Sequence, residues 1–165
     1  MTGRLYAWAI RGTEILLIIL MAAMTLMVFA EVVLRYVFLS PITWYDEFVG
    51  YMLVWVTFLG SVVALHRRRH IGFETVVEAL PLIWQRAVTI LVYLLIIVFQ
   101  VVLIYYGWEL TFELAGEMAI TLPIPIGFVH VVLPVSGVLM LVICLVHIRD
   151  VLKGGEVSGV GPWNM

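Results

Sequence analysis

Four long apolar stretches constrain this sequence more than any other feature. A helix that crosses a membrane needs about 20 mainly apolar residues, and four segments meet that requirement. They lie at about 15–36, 46–66, 86–107 and 123–147. The chain is 64% hydrophobic and only 12% charged, whereas a soluble domain carries about 25% charged residues. The sequence therefore predicts an all-α integral membrane protein with four transmembrane helices, which form a single domain over residues 1–153.

The basic residues are unequally distributed between the two sides of these four helices. Lys and Arg are enriched beside the cytoplasmic ends of membrane helices. In a four-span topology, one side holds Arg4, Arg11, Arg67, Arg68, Arg69, Arg86, Arg149 and Lys153. Only Arg35 falls on the other side. This pattern predicts that both termini lie in the cytoplasm (N-in/C-in). Arg67, Arg68 and Arg69 are then topology determinants first and contacts for anionic lipids second.

The connection between the second and third helices has a helical pattern of its own. Phe73, Val76 and Leu80 recur at helical spacing, with Glu74 on the other face. This arrangement is typical of a short amphipathic helix that lies on the cytoplasmic surface of the membrane. Beyond Lys153 the sequence turns to Gly, Ser and Pro, so we expect residues 154–165 to form a disordered cytoplasmic tail.

Ionisable residues inside or beside a membrane helix are costly and are candidates for function. Glu31 and Arg35 stand one helical turn apart, with the acid first, which is the better order for an ion pair. They could pair with each other or contact a partner. Asp46 and Glu47 open the second helix, where negative charge complements the helix dipole.

A stripe of carboxylates is predicted on an outward extension of the third helix. Glu109, Glu113 and Glu117 recur at four-residue spacing. Such a stripe is either a solvated face or a docking surface for a soluble partner on the outer side. For Glu31, a place on an ion path is less consistent with the sequence, because one carboxylate without nearby polar groups makes a poor cation site.

The sequence offers little basis for catalysis. It contains no Gly-rich phosphate loop, no H-E-x-x-H, no G-x-S-x-G and no cysteine pair, and the single Cys144 cannot form an internal disulfide. We therefore expect no enzymatic activity and no cofactor. A four-helix haem protein remains the alternative, because histidines on facing helices can hold a haem iron. Only His66 and His147 lie at the same predicted depth in the membrane, and no second histidine lies at the depth of His130.

From Arg35 onward, short motifs follow one another in a recognisable order. They are Arg35-Tyr36-Val37-Phe38, Pro41-Ile42, Trp44, Glu47, Trp55, Phe58-Leu59-Gly60, His70-Ile71, Leu80-Pro81 and, in the fourth helix, Leu133-Pro134, Gly137 and Leu139-Met140. Together with the length and the four spans, this order resembles the small membrane subunit, of DctQ type, of the tripartite ATP-independent periplasmic (TRAP) transporters. His130 departs from the pattern, since an aromatic or aliphatic residue is expected there.

The resemblance implies a scaffold subunit in the inner (plasma) membrane of a bacterium or archaeon. Its implied partners are the large TRAP membrane subunit, a periplasmic solute-binding protein that binds transiently, and membrane lipids. The large subunit would carry an organic acid together with sodium. The net charge of −2 gives no reason to expect a nucleic-acid partner.

On the same basis, several residues are candidates for partner interfaces. They are Glu31, Arg35, Trp44, Asp46, Glu47, Trp55, Gly60, His70, Glu109, Glu113 and Glu117. Arg35, Trp44 and Glu47 would fix the outer ends of the first two helices against each other or against the large subunit. Gly60 would allow close helix approach, and His70 would help to hold the inner surface at a fixed depth. Asp46 and the glutamate stripe would touch the binding protein.

Overall fold

The computed structural model describes residues 2–67 and 81–152. Its elements are α1 (Thr2–Tyr36), α2 (Tyr45–His66), α3 (Leu82–Glu113), a 3-10 turn (Leu114–Gly116), α4 (Ile126–His130) and α5 (Val132–Leu152). Within these ranges no strand occurs, and Met118 and Pro125 form an isolated β-bridge. Arg68, Arg69, His70, most of the predicted amphipathic helix and the tail of residues 154–165 lie outside the described residues.

Four stretches of helix are long and apolar enough to cross a membrane. They are Tyr6–Tyr36, Tyr45–His66, Trp84–Gly116 and Ile126–Arg149, which confirms the prediction of an all-α protein with four transmembrane helices. The first and third helices extend beyond the apolar runs, with 35 residues in α1 and 32 in α3. Since about 20 residues span the hydrocarbon core, both helices continue past it or tilt within it.

The four spans lie side by side in a row rather than in a closed bundle. In the described chain α1 contacts α2, α2 contacts α5, and α5 contacts α3. The two edge helices α1 and α3 therefore each have one long neighbour. In the most apolar window of each edge helix, 6% of residues are buried, against 39% in the fourth span. The fourth span is thus the centre of the fold, and the edge helices expose their apolar sides.

The main core cluster lies where α1, α2 and α5 meet. It contains Ile10 from α1, Val62 and Leu65 from α2, and Ile143 and Cys144 from α5. Lipid is as apolar as these side chains, so their contribution comes from close packing rather than from removal from water. Cys144 is fully buried in this cluster, in keeping with the behaviour of a free cysteine as a small apolar residue.

The fourth span is interrupted where α4 ends and α5 begins, at Val131. The sequence predicted one helix there that contains Pro134. Proline has no N–H to donate to the carbonyl four residues earlier, so a helix usually breaks on its N-terminal side. The carbonyl that loses its donor belongs to His130, whose Nδ1 lies 3.0 Å from the carbonyl oxygen of Ile126.

Glycine residues mark the tightest helix contacts of the fourth span. A Cβ added at Gly127 would lie 2.6 Å from the carbonyl oxygen of Thr111, and one at Gly137 would lie 2.8 Å from Cγ1 of Ile104. Gly60 differs, because a Cβ there would meet nothing within 4 Å. The close approach predicted at Gly60 is therefore not made within the described chain, and a close approach to a partner stays a prediction.

Candidate partner interface

Most of the predicted interface residues lie at one end of the helix row. We call it the acidic end, because the connections at 37–44 and 114–125 meet there and carry or adjoin most of the carboxylates. The opposite end, where Arg11, Arg67, Arg86 and Arg149 lie, is the basic end. Trp55 and Gly60 lie between the two ends, within α2.

Glu31 ties the last turns of α1 to the connection that follows it. Its side chain is almost fully buried, with 2% of the residue exposed. Oε1 accepts from Nε and Nη2 of Arg35 at 2.8 and 2.7 Å, so the predicted ion pair is present. Oε2 accepts the backbone N–H of Ile42 at 2.9 Å. A buried carboxylate requires such partners, and here they position the α1–α2 connection.

Glu47 makes a similar connection over a much longer range. Its carboxylate accepts the backbone N–H groups of Ile120, Thr121 and Leu122 at 2.9, 2.7 and 3.2 Å. It also accepts the hydroxyls of Thr121 and of Tyr51, the latter at 2.8 Å. Glu47 thus joins α2 to the connection between α3 and α4. The resemblance implied a contact with the end of α1 or with the large subunit, and the second of these stays a prediction.

The two tryptophans predicted for partner contacts have neighbours within the chain. Trp44 packs edge-on against Phe48, with ring centroids 5.7 Å apart. Trp55 packs against Phe128 of α4, with centroids 5.8 Å apart. Trp55 thereby helps to hold α2 against the fourth span, while Asp46 is exposed at the start of α2.

The glutamate stripe is exposed, as its spacing suggested. Glu109 and Glu113 lie in the last turns of α3, and Glu117 follows the 3-10 turn. The ion pairs found in the described chain are Arg35–Glu31 and Arg67–Glu14, so neither involves the stripe. The stripe therefore presents uncompensated negative charge at the acidic end.

At the basic end, Arg67 has a partner on another helix. Its Nη2 and Nε lie 2.9 and 3.2 Å from Oε1 of Glu14 in α1. Arg67 is exposed, so it can still contact a lipid headgroup while it joins α2 to α1.

The two histidines considered for haem each face a tyrosine. The hydroxyl of Tyr6 lies 2.8 Å from Nδ1 of His66, and the ring of His147 lies against that of Tyr93 with centroids 5.5 Å apart. Among the described residues, no group of three or more His, Cys, Asp or Glu side chains could hold a metal ion. These contacts use both histidines in helix packing.

Sequence reasoning did not select Gln100, although it is the most polar residue in the third apolar run. Gln100 is 2% exposed and lies between α3 and α5. Its Nε2 is 3.5 Å from Sδ of Met140, and its Oε1 has no hydrogen-bond partner. A polar residue in the middle of a span was the available signal.

One family model and two relatives among known proteins agree on one family. The family model described as "Tripartite ATP-independent periplasmic transporters, DctQ component" matches residues 24–154. A TRAP transporter small permease protein of Haemophilus influenzae is 28% identical over 139 residues, which are 84% of this chain and 86% of that protein. The C4-dicarboxylate TRAP transporter small permease protein DctQ of Vibrio cholerae is 28% identical over 96 residues, 58% of this chain and 41% of that protein.

Members of this family are components of transporters, and the family is not a known enzyme family. The alternative of a four-helix haem protein is therefore not favoured. The family match covers three of the four spans completely and residues 24–36 of the first. The matched region includes Glu31 and Glu47, whose carboxylates accept the hydrogen bonds described at the acidic end. The chain therefore belongs to the DctQ family, the small membrane subunits of TRAP transporters, and is a multi-pass protein of the inner membrane.

Proposed function

We propose that this protein is the scaffold subunit of a TRAP transporter. It supports a large permease subunit, which takes up an organic acid together with sodium after a periplasmic binding protein has delivered it. The observation that carries this proposal is the open row of helices, since α1 and α3 bury few residues of their most apolar windows. The exposed apolar sides of α1 and α3 can pack against the large subunit within the membrane.

The polar residues of the described spans support a structural role. The carboxylate oxygens of Glu31 and Glu47 all accept hydrogen bonds from groups of this chain. Gln100 lies between two packed helices. A substrate or ion path needs several polar groups that converge near the middle of the bilayer, and the described spans offer no such group. We infer that the transported solute passes through the large subunit.

The exposed face of α2 is the surface that we assign to the large subunit. It carries small residues at helical spacing, namely Gly50, Thr57, Ser61 and Ala64, with Gly60 beside them. The hydroxyls of Thr57 and Ser61 donate to carbonyls of their own helix at 2.8 and 2.9 Å. Small residues allow membrane helices to approach closely. This face is therefore suited to a partner helix, in agreement with the role predicted for Gly60.

The orientation follows from the basic end. Arg11, Arg67, Arg86 and Arg149 mark that end of the row, and we assign it to the cytoplasm by the enrichment of basic residues there. The acidic end then faces the periplasm. The exposed stripe of Glu109, Glu113 and Glu117 is in a position to contact the binding protein.

Reconstitution of purified components tests the proposal. This chain alone in liposomes should move no solute, whereas the chain with the large subunit and binding protein should take up an organic acid in a sodium gradient. The large subunit should also co-purify with this chain. Solute flux through the chain alone would overturn the scaffold role, and so would full uptake by the large subunit and binding protein without it.

A further inference from the structure

The connection between α3 and α4 has an unusual backbone. We call residues 117–126, held by Glu47, the clamped loop. Three successive N–H groups at its tip, those of Ile120, Thr121 and Leu122, donate to the Glu47 carboxylate. In a loop exposed to water, such N–H groups can donate to water molecules. Here the Glu47 side chain accepts these hydrogen bonds instead.

The remaining N–H groups of the clamped loop, from residue 119 onward, are also accounted for. Ala119, Ile124 and Ile126 donate to carbonyl oxygens of the same loop at 3.0, 2.8 and 2.9 Å. Pro123 and Pro125 have no N–H. Every backbone N–H from 119 to 126 is thus either paired within the chain or absent. Non-helical backbone at membrane depth needs partners for its N–H and C=O groups, because lipid chains supply none. The clamped loop provides them for its N–H groups from 119 to 126 and for the carbonyls of Glu117, Leu122, Ile124 and Pro125.

The clamped loop exposes apolar side chains at and beside its tip, next to the polar Glu117 and Thr121, while Ala119 is buried. Ile120 at its tip is 95% exposed, and Met118 is exposed as well. An isoleucine side chain that is 95% exposed is unfavourable in water, because water does not solvate apolar surface well. It is suited to an apolar environment.

The depth of the loop follows from Glu47. Along α2 the rise from Glu47 to Arg67 is about 30 Å at roughly 1.5 Å per residue. The hydrocarbon core is also about 30 Å thick. With Arg67 at one boundary, Glu47 lies at the other, and the N–H groups that it binds lie at the same depth. The tip of the clamped loop is therefore at the hydrocarbon boundary and not out in the aqueous phase.

The connection between α1 and α2 is built in a similar way. The buried Glu31 accepts the N–H of Ile42, and Pro41 has none to donate. Phe38 and Leu39 are exposed, the latter by 83%. Both connections at the acidic end thus combine a carboxylate that binds backbone N–H groups with apolar side chains directed outward.

We propose that the clamped loop inserts Ile120 into the lipid leaflet at the acidic end, and that Glu47 holds the loop in the conformation that permits this insertion. The partner is the acyl-chain and glycerol region of phospholipids. Lipid fits better than a protein surface, because a protein surface supplies polar groups of its own and does not require every N–H to be paired beforehand. The inference goes beyond the proposed function and depends only on the four helices crossing the membrane.

Site-directed labelling tests the insertion in the full chain, both alone and in complex with the large subunit. I120C, labelled with a thiol-reactive fluorophore in phosphatidylethanolamine–phosphatidylglycerol vesicles, should be strongly quenched by lipids brominated near the glycerol. It should react at least tenfold more slowly than E113C with a membrane-impermeant thiol reagent. V98C, on the exposed side of α3, is the control for quenching deep in the bilayer, and the buried Cys144 of the parent chain is the control for background labelling.

Two results would overturn the proposal. One is reaction of I120C as fast as E113C without lipid quenching, which would place the loop in water. The other is absence of lipid quenching whenever the large subunit is present, which would identify a protein contact. In E47Q/I120C, lipid quenching should fall severalfold while the helical circular dichroism stays unchanged. Undiminished quenching would remove Glu47 from the mechanism.

Discussion

The carboxylate of Glu47 accepts the backbone N–H of Thr121 at 2.7 Å, although the two residues are 74 positions apart in the sequence. This bond crosses from the first turn of α2 to the tip of the α3–α4 connection. It is one of three backbone hydrogen bonds that a single side chain accepts there. Glu47 therefore joins the second helix to the third and fourth spans at the acidic end.

Removal of the Glu47 carboxylate should destabilise the protein. In Glu47→Ala three N–H groups of the loop lose their acceptor at once, and unsatisfied polar groups at membrane depth are costly. We expect the midpoint of thermal unfolding in detergent to fall by several degrees, with the four spans still helical. Asp46→Ala is the matched control, since Asp46 is the neighbouring carboxylate and is exposed. Equal effects of the two substitutions would show that general charge at the helix start, and not the hydrogen bonds, is responsible.

The Glu31–Arg35 pair should behave as a coupled unit. Arg35→Met leaves the buried Glu31 carboxylate without its cation, and an unsatisfied buried group costs about 1–3 kcal/mol. In the double variant Glu31→Gln/Arg35→Met no charge is left uncompensated, so part of that loss should return. Unfolding by dodecyl sulfate in mixed micelles measures the unfolding free energies of the parent, of Glu31→Gln, of Arg35→Met and of the double variant. Strictly additive effects would mean that the pair contributes no coupling energy.

Gly60 should matter for assembly but not for folding. A Cβ at this position meets nothing within 4 Å, so Gly60→Leu should leave the isolated chain intact. If a helix of the large subunit packs there, the substitution should reduce co-purification of the large subunit severalfold. Gly12→Leu, at an equally open position on α1, shows whether the effect is specific to the α2 face or shared by the edge helix. Gly127→Leu should instead disrupt the fold itself, since its Cβ would lie 2.6 Å from the Thr111 carbonyl oxygen.

Charge reversal of the glutamate stripe should weaken docking of the binding protein. In Glu109→Lys/Glu113→Lys/Glu117→Lys, the binding-protein concentration at half-maximal uptake should rise severalfold, with the maximal rate unchanged. The effect should shrink at high salt, because exposed charges are screened within about 10 Å at 0.1 M ionic strength. The triple glutamine variant should give an intermediate result. Uptake by the lysine variant that matches the parent at low binding-protein concentration would exclude the stripe from docking.

Local sequence features predicted the spans better than they predicted the contacts between them. Runs of apolar residues locate membrane helices because lipid demands them over a fixed length, and the ion pair of Glu31 and Arg35 follows from four-residue spacing alone. The break at Val131 was foreseeable from Pro134, whose missing N–H acts on the preceding turn. The full length of α1 was not, because apolar composition marks the membrane and not the end of a helix.

The order of the helices in the row and the partner of Glu47 needed the folded structure. Nothing in the local sequence around Glu47 points to Ile120, Thr121 or Leu122, since those groups are backbone N–H donors that any residue except proline supplies. The open environment of Gly60 and the tight one of Gly127 likewise look the same in sequence, because each is a glycine in or beside an apolar run.

Gln100 offers a test of whether a buried polar group in this scaffold serves stability or another purpose. Its amide oxygen has no hydrogen-bond partner, and its nitrogen has only the thioether of Met140 at 3.5 Å. Gln100→Leu replaces this amide by an apolar side chain of similar size, so we expect the chain to become more stable by about 1 kcal/mol, since an unsatisfied buried polar group is unfavourable. Met140→Leu, which removes only the weak acceptor, should change stability much less. Unfolding in mixed micelles gives both free energies, and solute uptake by the complete transporter gives a second measurement. A more stable Gln100→Leu chain with undiminished uptake would agree with the scaffold role, because a scaffold needs no polar group between α3 and α5. A loss of uptake without a loss of stability would instead show that transport depends on the amide at the centre of this subunit.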